Sequence, residues 1–393
     1  MFSRIKLIFI QLLIAGFLLA QNDTLETCPD SLKITFNGQA TGWAVGQVES
    51  PFGIQFGGRF VPALLGDYKV DSLSKFDFEA SLNINGSLNF SGLRYDAILG
   101  QIKPYRVWVR YARGPWEVRL GLQKINFGSA KMFRPLMWFD AMDVRDPLQL
   151  TDGVYGALGR YYFPNNANIW LWTLVGNKNP KGYERWGSDP WRPEMGARFQ
   201  TPAGPGEMAL STHYRKVKVQ DLISGAGNDY YSLNESRVGL DGKWDVGIGL
   251  WFESTLTITD TKNVNLPYLF KYQDMWNAGA DYTFGIGNGL GATVEYFRYH
   301  AGNQFLAKGV AVDLMGCMLT YPVSLLDNVS AMVFYLPEQK LTYNYVSWGR
   351  TYDNWSLYAF AFWNPSTPLA FSQSQAKNLF SGKGVQIMVN YNF

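Results

Sequence analysis

The sequence of 393 residues predicts an all-β fold, a transmembrane antiparallel up-and-down β-barrel of about 18 strands. Three observations predict it. Many segments alternate between apolar and polar residues, and short turns alternate with long polar connections. Beyond residue 20 there is no run of about 18 apolar residues that could form a membrane-spanning helix. The composition agrees, because only 17% of the residues are charged, against about 25% in an ordinary soluble domain.

The first twenty residues have the organisation of a secretory signal peptide. Arg4 and Lys6 supply positive charge, residues 7–19 are mainly apolar, and Ala20 precedes the expected cleavage point. The apolar run is too short to cross about 30 Å of hydrocarbon. We therefore predict a signal peptide over 1–20 and a single transmembrane barrel domain over 21–393.

The alternation expected of a barrel strand is clearest between residues 235 and 253. Charged or small residues occupy the odd positions from Glu235 to Lys243, and the chain alternates again after a turn at Asp245. One such hairpin could belong to a soluble sheet. A long series of them is typical of a barrel that has lipid outside and water inside.

Turn residues separate the alternating segments and allow the strands to be counted. Asn85-Gly86 has the composition of a two-residue hairpin turn, whereas 48–74 and 127–152 are long polar connections. The predicted strands are 32–47, 75–84, 87–94, 104–112, 116–126, 153–163, 168–176, 194–200, 207–217, 231–243, 246–259, 272–285, 289–299, 309–321, 328–336, 341–351, 354–363 and 383–393. Because this count is even, both termini are expected to be periplasmic, with the long loops outside.

Charge and composition argue against several other functions. A net charge of +3 is too small to predict a nucleic-acid partner. Cys28, Cys317 and the two histidines have no metal-ligand spacing, so no metal or other cofactor is predicted. Ser211 and His213 share the inner face of one predicted strand, which a polar lumen lining explains better than catalysis does. The chain is therefore not predicted to be an enzyme.

Two stretches of the sequence resemble known outer-membrane proteins. Residues 385–393 alternate throughout and end on Phe393, and they resemble the C-terminal strand by which Gram-negative barrels are recognised for insertion. Residues 119–128, with the Arg134-Pro135 and Trp138-Phe139-Asp140 that follow, are similar to a motif of carbohydrate, phosphate and alginate-export porins. The resemblance implies a porin-like barrel in the outer membrane of a Gram-negative bacterium, reached through the periplasm.

The two-residue period predicts which side chains of the hairpin around residues 113–115 face the lumen. The outer set, expected to contact lipid, is Tyr105, Val107, Val109, Tyr111, Trp116, Val118, Leu120 and Leu122. The inner set includes Arg106, Arg110, Glu117, Arg119 and Gln123, and later strands add Arg160 and Arg198. Arg110 is expected opposite Arg119, and like charges in that position need compensation.

The third external loop is expected to supply this compensation. In general porins the third loop folds into the barrel and faces a wall of arginines, and the resemblance implies the same arrangement here. The charged residues of this loop are Lys131, Arg134, Asp140, Asp143, Arg145, Asp146 and Asp152. Opposed acidic and basic groups across a narrow passage would filter solutes by charge and dipole. The alternative is a loop that lies outside as a solvated surface.

The function that these features predict is diffusion of small hydrophilic solutes through a water-filled barrel, with a weak preference for anions. The expected partners are outer-membrane lipid and those solutes, and a homo-oligomer is left open. Residues 169–175 and 357–363 are apolar on both faces, so either a loop or the N-terminal segment covers them or aromatic residues line the lumen. The alternatives are a plugged barrel for ligand binding or surface interaction, and an outlet for exopolysaccharide or hydrophobic compounds.

Overall fold

The structure is a computed structural model, and it describes residues 32–48, 52–92, 94–221, 230–262, 264, 266–307, 309–366 and 380–393. The predicted signal peptide over 1–20 and Cys28 lie outside the described residues. Within the described part of the chain, no helix is long and apolar enough to cross a membrane.

The described residues form a single antiparallel sheet of 18 strands, which is the predicted fold class. The strands are β1 (Lys33–Gln47), β2 (Gly53–Lys69), β3 (Ser74–Ser91), β4 (Arg94–Arg113), β5 (Trp116–Gln123), β6 (Val154–Tyr162), β7 (Asn168–Leu174), β8 (Glu194–Ala203), β9 (Gly206–Gln220), β10 (Tyr230–Asp245), β11 (Gly249–Thr259), β12 (Tyr272–Phe284), β13 (Leu290–Gly302), β14 (Val310–Pro322), β15 (Asp327–Leu336), β16 (Leu341–Thr351), β17 (Trp355–Trp363) and β18 (Lys383–Asn392).

The sheet closes on itself because β1 pairs with both β2 and β18. Thr41 lies opposite Asn390 at this seam, and the Thr41 hydroxyl donates a hydrogen bond of 2.7 Å to the Asn390 amide oxygen. On β18, Val385 and Ile387 are exposed on the outer face whereas Gln386 is buried on the inner face. The alternation read from the last strand therefore describes its two faces correctly.

The long connections all lie at one rim of the barrel. The rim at which β1 begins and β18 ends has short turns, such as residues 114–115 and 204–205 between successive strands. The other rim carries the long connections, including 124–153, 175–193 and 260–271. The third connection at that rim is the one between β5 and β6, as the sequence predicted, and we call it L3 (residues 124–153).

The first third of the barrel corrects two predictions. Residues 53–69 form β2 instead of part of a long loop, and Asn85-Gly86 lies inside β3 instead of at a hairpin turn. Asn85 and Gly86 continue the ladder on both sides, and the turn falls at Gly92, whose φ of 62° suits glycine. The glycines and proline of β2 mask its strand character. One strand missed and one strand divided left the total at 18.

The outer face of the barrel is apolar. Val107, Val109, Val118 and Leu120 are all exposed on it, as the two-residue period predicts for lipid contact. Leu122 is the exception, since only 5% of its surface is exposed. Leu122 lies near the end of β5, just before L3, where it is paired with Val107 on β4 and with Tyr155 on β6.

Candidate constriction site

L3 reaches the opposite side of the barrel, where two buried glutamates hold it. It leaves β5 at Gln123 and its backbone meets Glu253 on β11 and Glu295 on β13. The backbone N–H groups of Ala130 and Leu136 donate to the Glu253 carboxylate at 2.7 and 3.0 Å. L3 therefore lies within the barrel and not over its surface.

Glu295 receives the larger share of these hydrogen bonds. The backbone N–H groups of Lys131 and Phe133 donate to it at 2.6 and 2.7 Å, and that of Met132 donates at 3.1 Å. Trp251 on the neighbouring strand also donates its indole N–H to Glu295 at 3.0 Å. Hydrogen bonds to a charged acceptor are stronger than neutral ones, so this carboxylate fixes the position of the loop tip.

Apolar side chains of L3 pack against the barrel in two separate places. Near β6 and β7, Phe127 and Phe139 pack on Trp172, with ring centroids 5.7 and 5.4 Å from it. On the other side, Phe133 packs on Phe297 and Phe334 at 5.5 and 5.6 Å. L3 thus covers the inner face of β7, which answers why that strand is apolar on both faces.

The predicted arginine cluster lies on the wall formed by the inner faces of β3 to β6, which we call the charged wall. Arg110 lies opposite Arg119 as the period predicts. Glu117 contacts both guanidinium groups, with nitrogen to oxygen distances of 3.6 and 3.2 Å, and it also contacts Arg160 at 3.4 Å. Three arginines therefore share one carboxylate.

A second carboxylate on the charged wall, Asp77 of β3, binds Arg110 with two hydrogen bonds of 2.8 and 2.9 Å. The prediction that L3 compensates the arginines is therefore wrong for Arg110, because Asp77 and Glu117 already do so from the wall. Aromatic rings provide further support, since Arg119 lies over Trp108 at 4.6 Å and Arg160 over Trp170 at 3.8 Å.

Three acidic residues of L3 have their partners within the loop, whereas Asp152 lies 2.6 Å from Lys103 of β4. Asp140 lies 3.6 Å from Arg134, and Asp143 lies 2.6 Å from Arg145. Arg145 also donates to the Tyr345 hydroxyl of β16 at 3.0 Å, and Asp146 accepts the backbone N–H of Leu148 at 3.0 Å. These groups organise the loop instead of facing the arginine cluster directly.

Burial shifts the pKa of several groups in L3. It raises the pKa of Asp140 and the pKa of Asp146 above the usual value for an aspartate. It lowers the pKa of Lys124 at the start of the loop. The charged form of each group is disfavoured because the buried surroundings solvate a charge less well than water does.

Three other predicted lumen residues have structural roles at the ends of L3 or beside it. Arg106 donates to the backbone carbonyl of Thr151 at 2.8 Å, and Gln123 donates to the carbonyl of Gly156 at 3.1 Å. Arg198 forms a bidentate pair with Asp241 at 2.6 and 2.8 Å. All three are buried, so they are less available to solutes than the sequence suggested.

The connection between β7 and β8, residues 175–193, also folds inward, which the sequence analysis missed. Its Glu184 lies 2.8 Å from Arg215 and 2.9 Å from Arg237 on the barrel wall, and its Lys181 lies 2.9 Å from Glu194. Charged residues in a loop are normally read as a solvated surface. The arginines at inner positions of β9 and β10 were the available signal, since a buried cation needs a partner.

A cavity of about 510 Å³ remains between L3 and the inner faces of β14 to β17. We call that side the apolar wall, because most of its inner residues are apolar or aromatic. They include Leu314, Met318, Met332, Phe334, Tyr343, Tyr345, Phe360 and Phe362. Across the described residues, no group of three or more His, Cys, Asp or Glu side chains could hold a metal ion.

The closed 18-stranded ladder, the apolar exterior and the inward loops define a β-barrel with the fold of outer-membrane proteins. No family model and no curated protein matches the sequence. Among solved structures, Acinetobacter baumannii OccAB4 superposes with a TM-score of 0.52 at 10% identity, covering 93% of this chain and 100% of that one. The trimer form of Vibrio cholerae OmpT, an outer membrane protein, gives 0.50 at 12% identity, with coverage of 93% and 100%. These similarities are to the fold, and they agree with the predicted location in the outer membrane.

Proposed function

We propose that the barrel is a channel through which small hydrophilic solutes diffuse across the outer membrane, and that L3 narrows it. The observation that carries this proposal is the attachment of L3 to Glu253 and Glu295 across the barrel, beside a cavity of about 510 Å³. A loop held by several charge-assisted hydrogen bonds gives a passage of defined width. Lipid on the outer face and solutes in the lumen are the partners that this function requires.

We also propose a weak anion preference. At the charged wall, Arg110, Arg119 and Arg160 form their ion pairs with Asp77 and Glu117, and Asp77 also pairs with Lys75. The four positive charges in these ion pairs outnumber the two negative charges, and walls of low dielectric strengthen the effect of the excess on passing ions.

Planar bilayer recording tests both proposals. The purified protein is expected to form open channels, and a KCl gradient is expected to give a reversal potential of the sign set by anions. Arg110→Ala should reduce this anion preference, whereas Arg298→Ala should not, because Arg298 is exposed on β13 and pairs with Asp313. A cation preference, or an Arg110→Ala channel with unchanged selectivity, would contradict the anion proposal.

The plugged barrel for ligand binding or surface interaction is the second candidate. It is favoured by the apolar packing of L3 on two sides of the lumen, through Phe127 and Phe133. This candidate would be favoured over the channel if the protein conducts no ions in the planar bilayer while keeping the electrophoretic mobility of the folded barrel.

Two further parts of the proposal concern assembly and chemistry. The Vibrio cholerae protein is described as a trimer, and for this chain we propose a homo-oligomer without a stated number of subunits. The mass of the detergent-solubilised protein tests this. We propose no enzymatic activity and no nucleic-acid partner. His213 contacts Trp172 and Glu194, and Ser211 accepts a hydrogen bond from Arg198, which are contacts of a structural kind.

A further inference from the structure

The cavity beside L3 has an apolar lining on its barrel side. Met318 of β14, Met332 of β15, and Tyr358 and Phe360 of β17 line it. Met318 and Met332 lie directly opposite each other in the ladder, so their thioethers form one patch. Methionine and aromatic side chains present adaptable surfaces to carbon-rich groups.

The loop side of the same cavity is also largely apolar. Met142, Val144 and Pro147 of L3 line it. A solute in this space therefore has apolar surface on two sides. The volume of about 510 Å³ lies within the range of roughly 300 to 1,000 Å³ that is typical of small-molecule sites.

Both cations at the cavity have acidic partners. Lys131 pairs with Asp281, and Arg145 pairs with Asp143 while donating to Tyr345. A positive charge that is already paired offers a passing anion less than an isolated one does. The charge balance beside the apolar wall is thus different from the excess at the charged wall.

Polar groups without formal charge complete the lining. Asn328 and Ser330 of β15 and Ser347 of β16 lie at the end of the cavity toward the rim at which β1 begins and β18 ends, and Gln149 of L3 also lines the cavity. Hydroxyl and amide groups can both donate and accept hydrogen bonds. They suit hydroxyl groups on a solute.

We propose that this cavity selects small uncharged amphiphiles, meaning solutes that carry an aryl or alkyl group together with hydroxyl groups. The apolar group lies against Met318, Met332 and Phe360, and the hydroxyl groups reach the serine and asparagine side chains. The inference rests on the proposed channel function and names a class of solute within it.

The test compares phenyl β-glucoside with methyl β-glucoside as blockers of single-channel current. The two share one sugar and differ in the group that would contact the apolar wall. Phenyl β-glucoside should dwell in the channel at least about threefold longer, since burial of apolar surface favours it. In Met318→Thr and in Phe360→Thr, the ratio of the two dwell times should fall toward one.

A matched control lies on the same strand as Met318. Met315 is exposed on the lipid-facing side, so Met315→Thr makes the same chemical change outside the lumen and should preserve the difference between the glucosides. Testing Phe360→Thr as well keeps the inference open to contradiction if one variant fails to fold.

The outcomes separate this inference from the channel proposal. The solute class would be overturned, and the channel left intact, if both glucosides blocked the open channel equally. The same conclusion would follow if the variants showed the same ratio of dwell times as the parent protein. Folded protein without ion conductance would overturn the channel and, with it, the solute class.

Discussion

The charged wall and the apolar wall line the same lumen, yet they differ in their contacts with L3. At the charged wall, Asp77 and Glu117 satisfy the arginines from within the barrel, and the described contacts of that cluster do not involve the acidic side chains of L3. At the apolar wall, Phe334 and Tyr345 contact L3 directly, through Phe133 and Arg145. One wall satisfies its own charges, and the other packs against the loop directly.

This difference shows that the inner positions of a barrel strand can be either polar or apolar, depending on what contacts them. Inner positions must be polar where they contact water. They can be apolar where a loop covers them, because burial of apolar surface is then favourable. An apolar inner face is therefore a sign of inward loops, and β17 follows β7 in this respect, since Phe380 covers Phe362 with ring centroids 5.5 Å apart.

The largest effect is expected from Glu295→Ala. The variant leaves the buried backbone N–H groups of Met132 and Phe133 without their acceptor, which should cost on the order of 3 kcal/mol of loop docking. L3 should detach from the opposite side, and single-channel conductance should rise severalfold. Glu338→Ala, at an exposed turn, is the control. A Glu295→Ala channel with parental conductance would show that L3 is not the limiting element.

Phe133→Ala is expected to act next, through the apolar wall. Phe133 is buried between Phe297 and Phe334, and its removal should destabilise this packing by about 3 kcal/mol. Protease cleavage within L3 measures this, because a loosened loop exposes its backbone. Phe199→Ala removes a phenylalanine from the exposed outer face and should leave the cleavage rate unchanged.

Asp77→Asn perturbs the charged wall and should leave L3 in place. It removes one of the two carboxylates that pair with Arg110, so the excess positive charge at the charged wall grows by one. The anion-to-cation permeability ratio should rise roughly twofold, a modest effect because water and salt screen the added charge. Reversal potentials measure it, and Asp353→Asn in an exposed turn is the control. A lower ratio would mean that Arg110 no longer faces the passage.

Much of this arrangement could be predicted from sequence and some could not, for physical reasons. L3 was correctly predicted to be the third loop only because the missed β2 and the divided β3 cancelled in the count. The two-residue period placed Arg110 opposite Arg119, because strand geometry fixes that pairing. It could not reveal that Asp77 pairs with Arg110, since this depends on how β3 aligns with β4. The error at Asn85-Gly86 concealed that alignment. The roles of Glu253 and Glu295 were equally hidden, because they depend on the path of a loop without a period.

The smallest expected effect is a pH dependence that acts through L3. Burial raises the pKa of Asp140 and of Asp146, so both carboxyl groups take up protons above the ordinary aspartate value of about 3.9. Their neutral form favours the folded loop below that value, and this contribution is lost as pH rises through the raised pKa.

Lowering the pH from 7 toward 4 should therefore keep L3 docked while it removes negative charge beside the passage, and anion preference should increase slightly. Reversal potentials across this range measure the change. Asp140→Asn should remove part of it, because its side chain is neutral at every pH, whereas Asp353→Asn should preserve the full change. An equal pH response in the parent protein and in Asp140→Asn would exclude Asp140 as a source of the response.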